Sequence, residues 1–524
     1  MHRRTFLAGL AAFTAVGPAA ARMKMDGTKH GMPAMGGNFG PDMGTSTSAM
    51  PMLPEGEPLR DLTRLANEST VSGSFKARLS AELATERFAE GLDTPILGYN
   101  GMSPGPLIEV SEGDSVEIEF ANNIPGEEST IHWHGMPVPA DQDGNPMDAV
   151  GSGSTRTYAF DLPKGSAAPY WYHPHPHGKT AEQVYRGLAG VFVVKSKADP
   201  VPSEYGDTVL MFTDLRLAAD GTMPADTMAD LMNGRVGDHV LVNGQKNPSL
   251  ALKLGEKRRL RLCNATNARY LRLTFENASM AIIGTDGGLL EKSVPVEEIL
   301  LAPAERVELV VTFENPGAAI LRTLDYDRGW MGPGKPEDAG LALITANVSE
   351  TPAHPIPPLP EKLRSIAPLD APAVTRRFVF TEKMEMGSGT MSMSSHGMDM
   401  GSGGMAMDAG GMKIEFFING VAFDMNRVDV VSKVGDVELW EVVNQSDMDH
   451  PFHVHGTQFQ VVEHERNGKV AKPAYLSWKD TVNVVQGETV RLLLRQDMPG
   501  RRMYHCHILE HEDLGMMGVV DVQV

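Results

Sequence analysis

The run His505-Cys506-His507 constrains this chain more than any other stretch, because it places three strong metal ligands on consecutive residues. His511 and Met516 follow shortly after, and Cys506 is one of only two cysteines in the chain. Side chains alternate between the faces of an extended strand. On a strand, Cys506 points one way, while His505 and His507 point the other, about 6–7 Å apart. A single strand then serves metal sites on both faces, and the fold has to bring partners to each. Thiolate, imidazole and thioether together suit copper; two imidazoles, a thiolate and a weak axial thioether form an electron-transfer site. Cys506 is also the shortest covalent route between the two faces.

Three further segments share the spacing: His132-Trp133-His134-Gly135, His173-Pro174-His175-Pro176-His177-Gly178 and His450-Pro451-Phe452-His453-Val454-His455-Gly456. Each contains His-x-His, which sets two imidazoles on one face of an extended chain. The four motifs, together and in this order, resemble those of the multicopper oxidases. Within that family the chain most resembles the bacterial periplasmic copper-efflux oxidases of the CueO type. The resemblance covers most of the chain beyond its N-terminal segments and is densest over residues 423–524. It implies an all-β fold of three consecutive cupredoxin-like Greek-key β-sandwich domains.

Composition agrees with that expectation. A length of 524 residues suits two to four domains, at ~100–200 residues each. Gly and Pro are plentiful and long helical periodicities scarce, which favours many short strands. The net charge of -20, with no basic stripe, argues against nucleic acid as a partner. An acidic surface attracts cations and also aids solubility.

Residues 1–21 have the charged start, short apolar middle and Ala-x-Ala end of an export signal. Arg3-Arg4 with Phe6-Leu7 resembles a twin-arginine signal, a route that exports folded proteins. A periplasmic location is expected. The apolar run is too short to span a bilayer, and no other stretch reads as a membrane span. Residues 22–58 scatter methionines among Gly, Pro, Ser and Thr and read as a disordered tail with weak affinity for Cu(I).

Domain one is expected over 59–199, with clear alternation at Val116-Glu117-Ile118-Glu119-Phe120. Domain two, over 200–351, carries a single histidine, His239, and reads as a spacer; its Cys263 reads as a buried inert thiol. A Pro-rich linker over 352–373 should be extended. Domain three, over 374–524, is interrupted at 384–412 by a Met-rich insertion that includes Met384, Met386, Met391 and Met393. The CueO type carries a Met-rich insertion at this place, over its copper substrate site.

The resemblance also implies a ligand set of four copper ions. Type 1 copper takes His450, Cys506, His511 and axial Met516. Type 2 copper takes His132 and His453, and the type 3 pair takes His134, His173, His175, His455, His505 and His507. Asp143 and Glu512 match the family's proton-relay acids, and His177 has no ligand counterpart. Met448 stands two residues before His450, as does a methionine of the family's cuprous-ion site, whereas Asp447 is shifted by one from the acidic partner. The implied activity is oxidation of Cu(I) at type 1 copper coupled to reduction of dioxygen to water, with phenols as further substrates and copper tolerance as the outcome. A monomer is expected. The alternatives are a laccase-like phenol oxidase and a non-catalytic copper-sequestering protein.

Overall fold

The computed structural model describes residues 51–332, 334–336, 340–386 and 412–524. The export signal, most of the Met-rich tail and most of the insertion, with Met391 and Met393, lie outside the described residues. About half of the rest is strand and very little is helix; the strands form six sheets that pair into three sandwiches. The alternation read from the sequence is realised directly. In Ser115–Asn122, Val116, Ile118 and Phe120 face the core and the intervening glutamates face solvent.

The three sandwiches repeat one Greek-key plan. In the first, Ser74–Ala89 runs parallel to Ser115–Asn122, and Ile108–Ser111 parallel to Gly190–Lys195. Thr208–Leu215 with Glu256–Asn264, and Ser249–Leu254 with Ala342–Pro352, are the counterparts in the second. Val374–Met386 with Val437–Asn444, and Val430–Lys433 with Met517–Gln523, are those in the third. The plan makes the metal-bearing strands equivalent. His132–His134 pairs antiparallel with Ala168–His173 in domain one, as His450–Val454 pairs with Gly500–Cys506 in domain three. The corresponding pair in domain two is Leu271–Glu276 with Gly317–Leu324, where the outward positions are taken by residues such as Arg322 and Glu276, joined in an ion pair.

Two of the four metal-bearing strands are braced by the same device. Tyr172, next to His173, lies opposite Gly190, and Tyr504, next to His505, lies opposite Gly518. A Cβ on either glycine would sit 2.2–2.4 Å from the tyrosine ring. The ring thus lies flat over bare backbone and fixes the neighbouring histidine.

Two connecting segments are more ordered than their composition suggests. The tail expected to run to residue 58 ends sooner: residues 51–58 lie along domain two, with Gly56 N–H donating to the Asn247 carbonyl and Leu53 buried among Leu215, Leu217 and Leu241. Burying one such leucine contributes about 1.5–3 kcal/mol, which adds to the strap's backbone bonds in offsetting the entropy of ordering it. The linker over 352–373 is extended as expected, and Leu363 and Ile366 bury themselves. No helix among the described residues is long and apolar enough to cross a membrane.

Candidate metal centre

Cross-strand register builds the first site. Phe452 pairs with Cys506, and His450 lies two residues before Phe452, so His450 and Cys506 share the inner face of domain three. The short helix Leu509–Asp513 turns the chain back and brings His511 to them. His450 Nδ1 lies 3.3 Å from Cys506 Sγ, and His511 Nδ1 lies 3.3 Å from His450 Nδ1. Met516 is fully buried in the same core and is tied to the site by its backbone: Cys506 N–H donates to its carbonyl, and its own N–H donates to His511.

The outward nitrogens are engaged elsewhere. His450 Nε2 bonds Ser446 Oγ at 2.7 Å, and His511 Nε2 donates to the Met232 carbonyl at 3.2 Å. These bonds leave both Nδ1 atoms free as ligands. Phe416 stacks on His511 at 3.8 Å, and Phe380 meets His450 edge-on. Burial pushes the Cys506 thiol well up, opposed by the Ile508 N–H that donates to its sulfur. Burial also drives His450 down to about 3. The site is built for a cation that displaces the thiol proton.

The opposite faces of the same strands build the second site, at the interface of domains one and three. His453 pairs with His505, and His132 with His173. His132 Nε2 faces His453 Nε2 at 3.4 Å. His175 and His455 present Nε2 to His505 Nε2 at 3.3 and 3.1 Å. His173 Nε2 faces His134 Nδ1 at 3.4 Å, and the His507 ring centre lies 4.9 Å from that of His134. All eight of these imidazoles are fully buried.

Most of their remaining nitrogens, those of His507 excepted, face groups of the protein. His132 and His453 donate from Nδ1 to the carbonyls of Asp143 and Asp480, each at 2.8 Å. His455 Nδ1 bonds Asp143 Oδ2 at 3.2 Å. Glu512 places Oε1 3.4 Å from His175 Nδ1 and Oε2 3.0 Å from His505 Nδ1. Burial pushes Glu512 up, but the imidazoles of His175 and His505 outweigh it and hold the carboxyl below its ordinary range. Burial drives His175 down to about 3 and His134, His173, His453, His455 and His507 well below the usual imidazole range.

Copper fits this donor set. Neutral imidazole nitrogens turned toward one another in a dry interior are unsatisfied, and both nitrogens of His507 lack any partner. Such groups are costly unless a bound cation accepts their lone pairs. A buried thiol with two imidazoles and a methionine selects copper over the harder divalent ions. Met516 shares the core of the Cys506 group, and the eight imidazoles expected at the cluster lie together. His450, Cys506 and His511 form one compact group; His175, His455 and His505 form another.

The proposed substrate residues are placed differently. Met448 is fully buried, with its sulfur 3.7 Å from Arg328 Nη1 of domain two. Asp447 is exposed, and its N–H donates to Glu382 Oε1 at 2.9 Å. Met384 is 46% exposed on the same strand as Glu382, and Met386 ends that strand. His177 is partly buried against Phe423. Cys263 and Cys506 are both free, and burial pushes the Cys263 thiol up to about 12.

Several residues at the centre were not legible in the sequence: Asp480, Thr481, Arg306, Ser446 and the two phenylalanines. Among these, only Ser446 lies within a few residues of a ligand motif, and even there nothing in the spacing marks it.

Comparison with known proteins places this geometry. Three multicopper oxidase family models match residues 82–199, 206–323 and 399–524. A multicopper oxidase of Staphylococcus aureus is 34% identical over 452 residues, covering 85% of this chain and 88% of that protein. The structure of a multicopper oxidase from Campylobacter jejuni, described as a metallo-oxidase, is 39% identical with a TM-score of 0.80, over 91% of this chain and 98% of that one. A laccase-like CueO from Ochrobactrum, with oxidase activity towards lignin model compounds, is 28% identical with a TM-score of 0.73, over 90% of this chain and 100% of that one.

Proposed function

The chain belongs to the multicopper oxidase family, and from that premise we propose that it is a periplasmic cuprous oxidase, with four copper ions per chain, that protects against copper. One observation carries the choice of substrate. The two strands that bracket the Met-rich insertion, Val374–Met386 and Met412–Ile418, each set a phenylalanine on a type 1 imidazole: Phe380 on His450 and Phe416 on His511. The two strands whose ends carry the insertion therefore also line the electron-accepting site. The insertion's root carries Met384 and Glu382, and Glu382 is bonded to the Asp447 backbone. A thioether at that position suits Cu(I) capture, and the acidic chain draws cations.

Bound copper supplies one-electron acceptance at the Cys506 site and four-electron reduction of dioxygen to water at the imidazole cluster. The protein's own groups make the coupling work. Cys506 joins the two sites through its backbone to His505 and His507, so the route between them is covalent. Ser446 and Met232 hold His450 and His511 in the ligating orientation, without reorganisation when an electron arrives. Asp143 Oδ2 and the Glu512 carboxylate oxygens stand one imidazole away from the oxygen-reducing space, where carboxylates can pass protons inward. Oxidation of four Cu(I) ions delivers four electrons; with four protons these convert one dioxygen to two waters.

A second reading, laccase-like oxidation of phenols, is favoured by the Arg328 guanidinium lying against the Met448 sulfur, since a fixed cation repels a cuprous ion. Oxygen uptake by the copper-loaded protein separates the two. Uptake driven by Cu(I) supplied as a weak complex, and lost on deleting residues 387–411, supports the cuprous oxidase. Phenol-driven uptake that ignores Cu(I) and the deletion supports the laccase reading. No uptake with either, at full copper loading, rejects both.

A further inference from the structure

Among the expected ligands none comes from domain two, yet one of its side chains reaches the carboxylate that stands behind a cluster histidine. We infer that Arg306 and Asp480 form a positioning pair that holds one type 2 ligand and one type 3 ligand in register across all three domains. This inference is independent of which electron donor the enzyme uses.

Asp480 and the adjacent Thr481 touch both ligand sets. The Asp480 carbonyl accepts the Nδ1–H of His453, the type 2 ligand from domain three, at 2.8 Å. Its Oδ1 lies 3.1 Å from Nε2 of His134, the type 3 ligand from domain one. Thr481 Oγ1 lies 3.1 Å from His134 Nε2 and 3.2 Å from His453 Nδ1. In both imidazoles the nitrogen engaged is the one turned away from the other histidines: His134 Nδ1 faces His173, and His453 Nε2 faces His132. A carboxylate on the outer nitrogen of a metal-bound imidazole fixes its tautomer and ring angle and raises its basicity.

Arg306 fixes the carboxylate in turn. Its Nη1 and Nη2 donate to Oδ1 and Oδ2 of Asp480, the two-pronged geometry that only a guanidinium supplies. The same side chain donates from Nε to the Pro169 carbonyl of domain one at 3.0 Å and from Nη1 to the Ala304 carbonyl of its own domain at 3.0 Å. Its backbone N–H donates to Asp286, which pairs with Lys479, the neighbour of Asp480. Arg306, Asp286 and Asp480 are all fully buried.

An independent feature points the same way. Gly135, directly after His134, has φ +83°, and a Cβ there would sit 2.2 Å from Asp480 Oδ2 and 2.7 Å from Arg306 Nη2. The glycine closing this His-x-His motif is thus the space the pair occupies. A pair with only a packing role would have no need to crowd the backbone beside a metal ligand.

The test compares Asp480→Asn, Arg306→Lys, Arg306→Leu and the double variant Arg306→Leu/Asp480→Asn, each loaded with copper and challenged with graded chelator. The readouts are the type 1 absorption band, the type 2 paramagnetic resonance signal and copper retained per chain. Asp480→Asn is expected to release cluster copper about 10–100-fold more readily and to alter the type 2 signal, with the type 1 band unchanged. Arg306→Lys, which keeps the charge but loses the fork, falls between it and the parent. Adding Arg306→Leu to Asp480→Asn should cause little further loss, because the arginine acts through the carboxylate. If Arg306→Leu alone misfolds on its unpaired carboxylate, the double variant, which removes both charges, still reads the cluster. Parental retention and type 2 signal in Asp480→Asn and Arg306→Lys would overturn the inference. So would loss of the type 1 band in step with the cluster, which marks a structural role alone.

Discussion

Glu512→Gln is the sharpest probe of how the cluster is held. The substitution keeps the side chain's shape, so packing is untouched; what changes is the match of donors and acceptors. Oε1 serves His175 and Oε2 serves His505, and both imidazoles turn Nε2 inward, so each outer Nδ1 carries the proton. A carboxylate attracts both, and His505 Nδ1 also reaches the Cys506 carbonyl at 2.9 Å. An amide offers one oxygen and one NH2, so one imidazole meets a donor where it needs an acceptor. Glu512 is almost wholly buried, and solvent does not relieve the mismatch. Leaving one buried donor unsatisfied costs about 1–3 kcal/mol, and loss of such outer partners lowers metal affinity about 10–100-fold; the two figures agree. His175 and His505 belong to one ligand group with His455, so that group should lose copper first. Dialysis of Glu512→Gln against a chelator series, with copper per chain and the type 1 band followed together, should show cluster copper lost about 10–100-fold more easily and type 1 copper retained. Parental retention would refute the donor–acceptor argument; equal loss from both sites would refute its locality.

Three further outcomes are expected. Phe416→Ala removes a fully buried ring stacked on His511, so urea unfolding of the copper-free protein should show a loss of about 3–5 kcal/mol, with Phe416→Leu recovering most of it. Gly518→Ala drives a Cβ to 2.4 Å from the Tyr504 ring; overpacking of this kind costs about 1–3 kcal/mol, and the type 1 band should shift because Tyr504 and Cys506 share a strand. Cys263 ionises near its ordinary value when unfolded and only at about 12 when folded. Its contribution is therefore complete below pH 9 and is lost as pH rises above it. Between pH 8 and 10 the copper-loaded protein should lose about 1.3 kcal/mol more stability than Cys263→Ala; parallel pH profiles would contradict that.

What the sequence by itself determined is the local part of the chemistry. Strand alternation is a property of the covalent backbone, so His505-Cys506-His507 already divides into two faces, and each His-x-His pair already shares one. The resemblance of the four motifs supplied the fold and an expected grouping of ligands, and the structure gathers the histidines and Cys506 into two buried sites. The glycines after His134 and His455 were visible in the motifs, but their reason was not. It lies in Asp480 and Arg306 at Gly135, and in Arg502, whose guanidinium a Cβ at Gly456 would strike. Tertiary structure alone decided which groups stand behind the ligands. Arg306 and Asp480 are far apart in the chain, sit on different domains and carry no periodic or spacing signal. They meet because the fold brings parts of all three domains to one buried space, where the guanidinium bonds the Asp480 carboxylate and the Pro169 and Ala304 carbonyls and the carboxylate reaches His134. Local geometry is set by neighbouring residues; the partners of a buried charge are set by whatever the whole fold brings within reach.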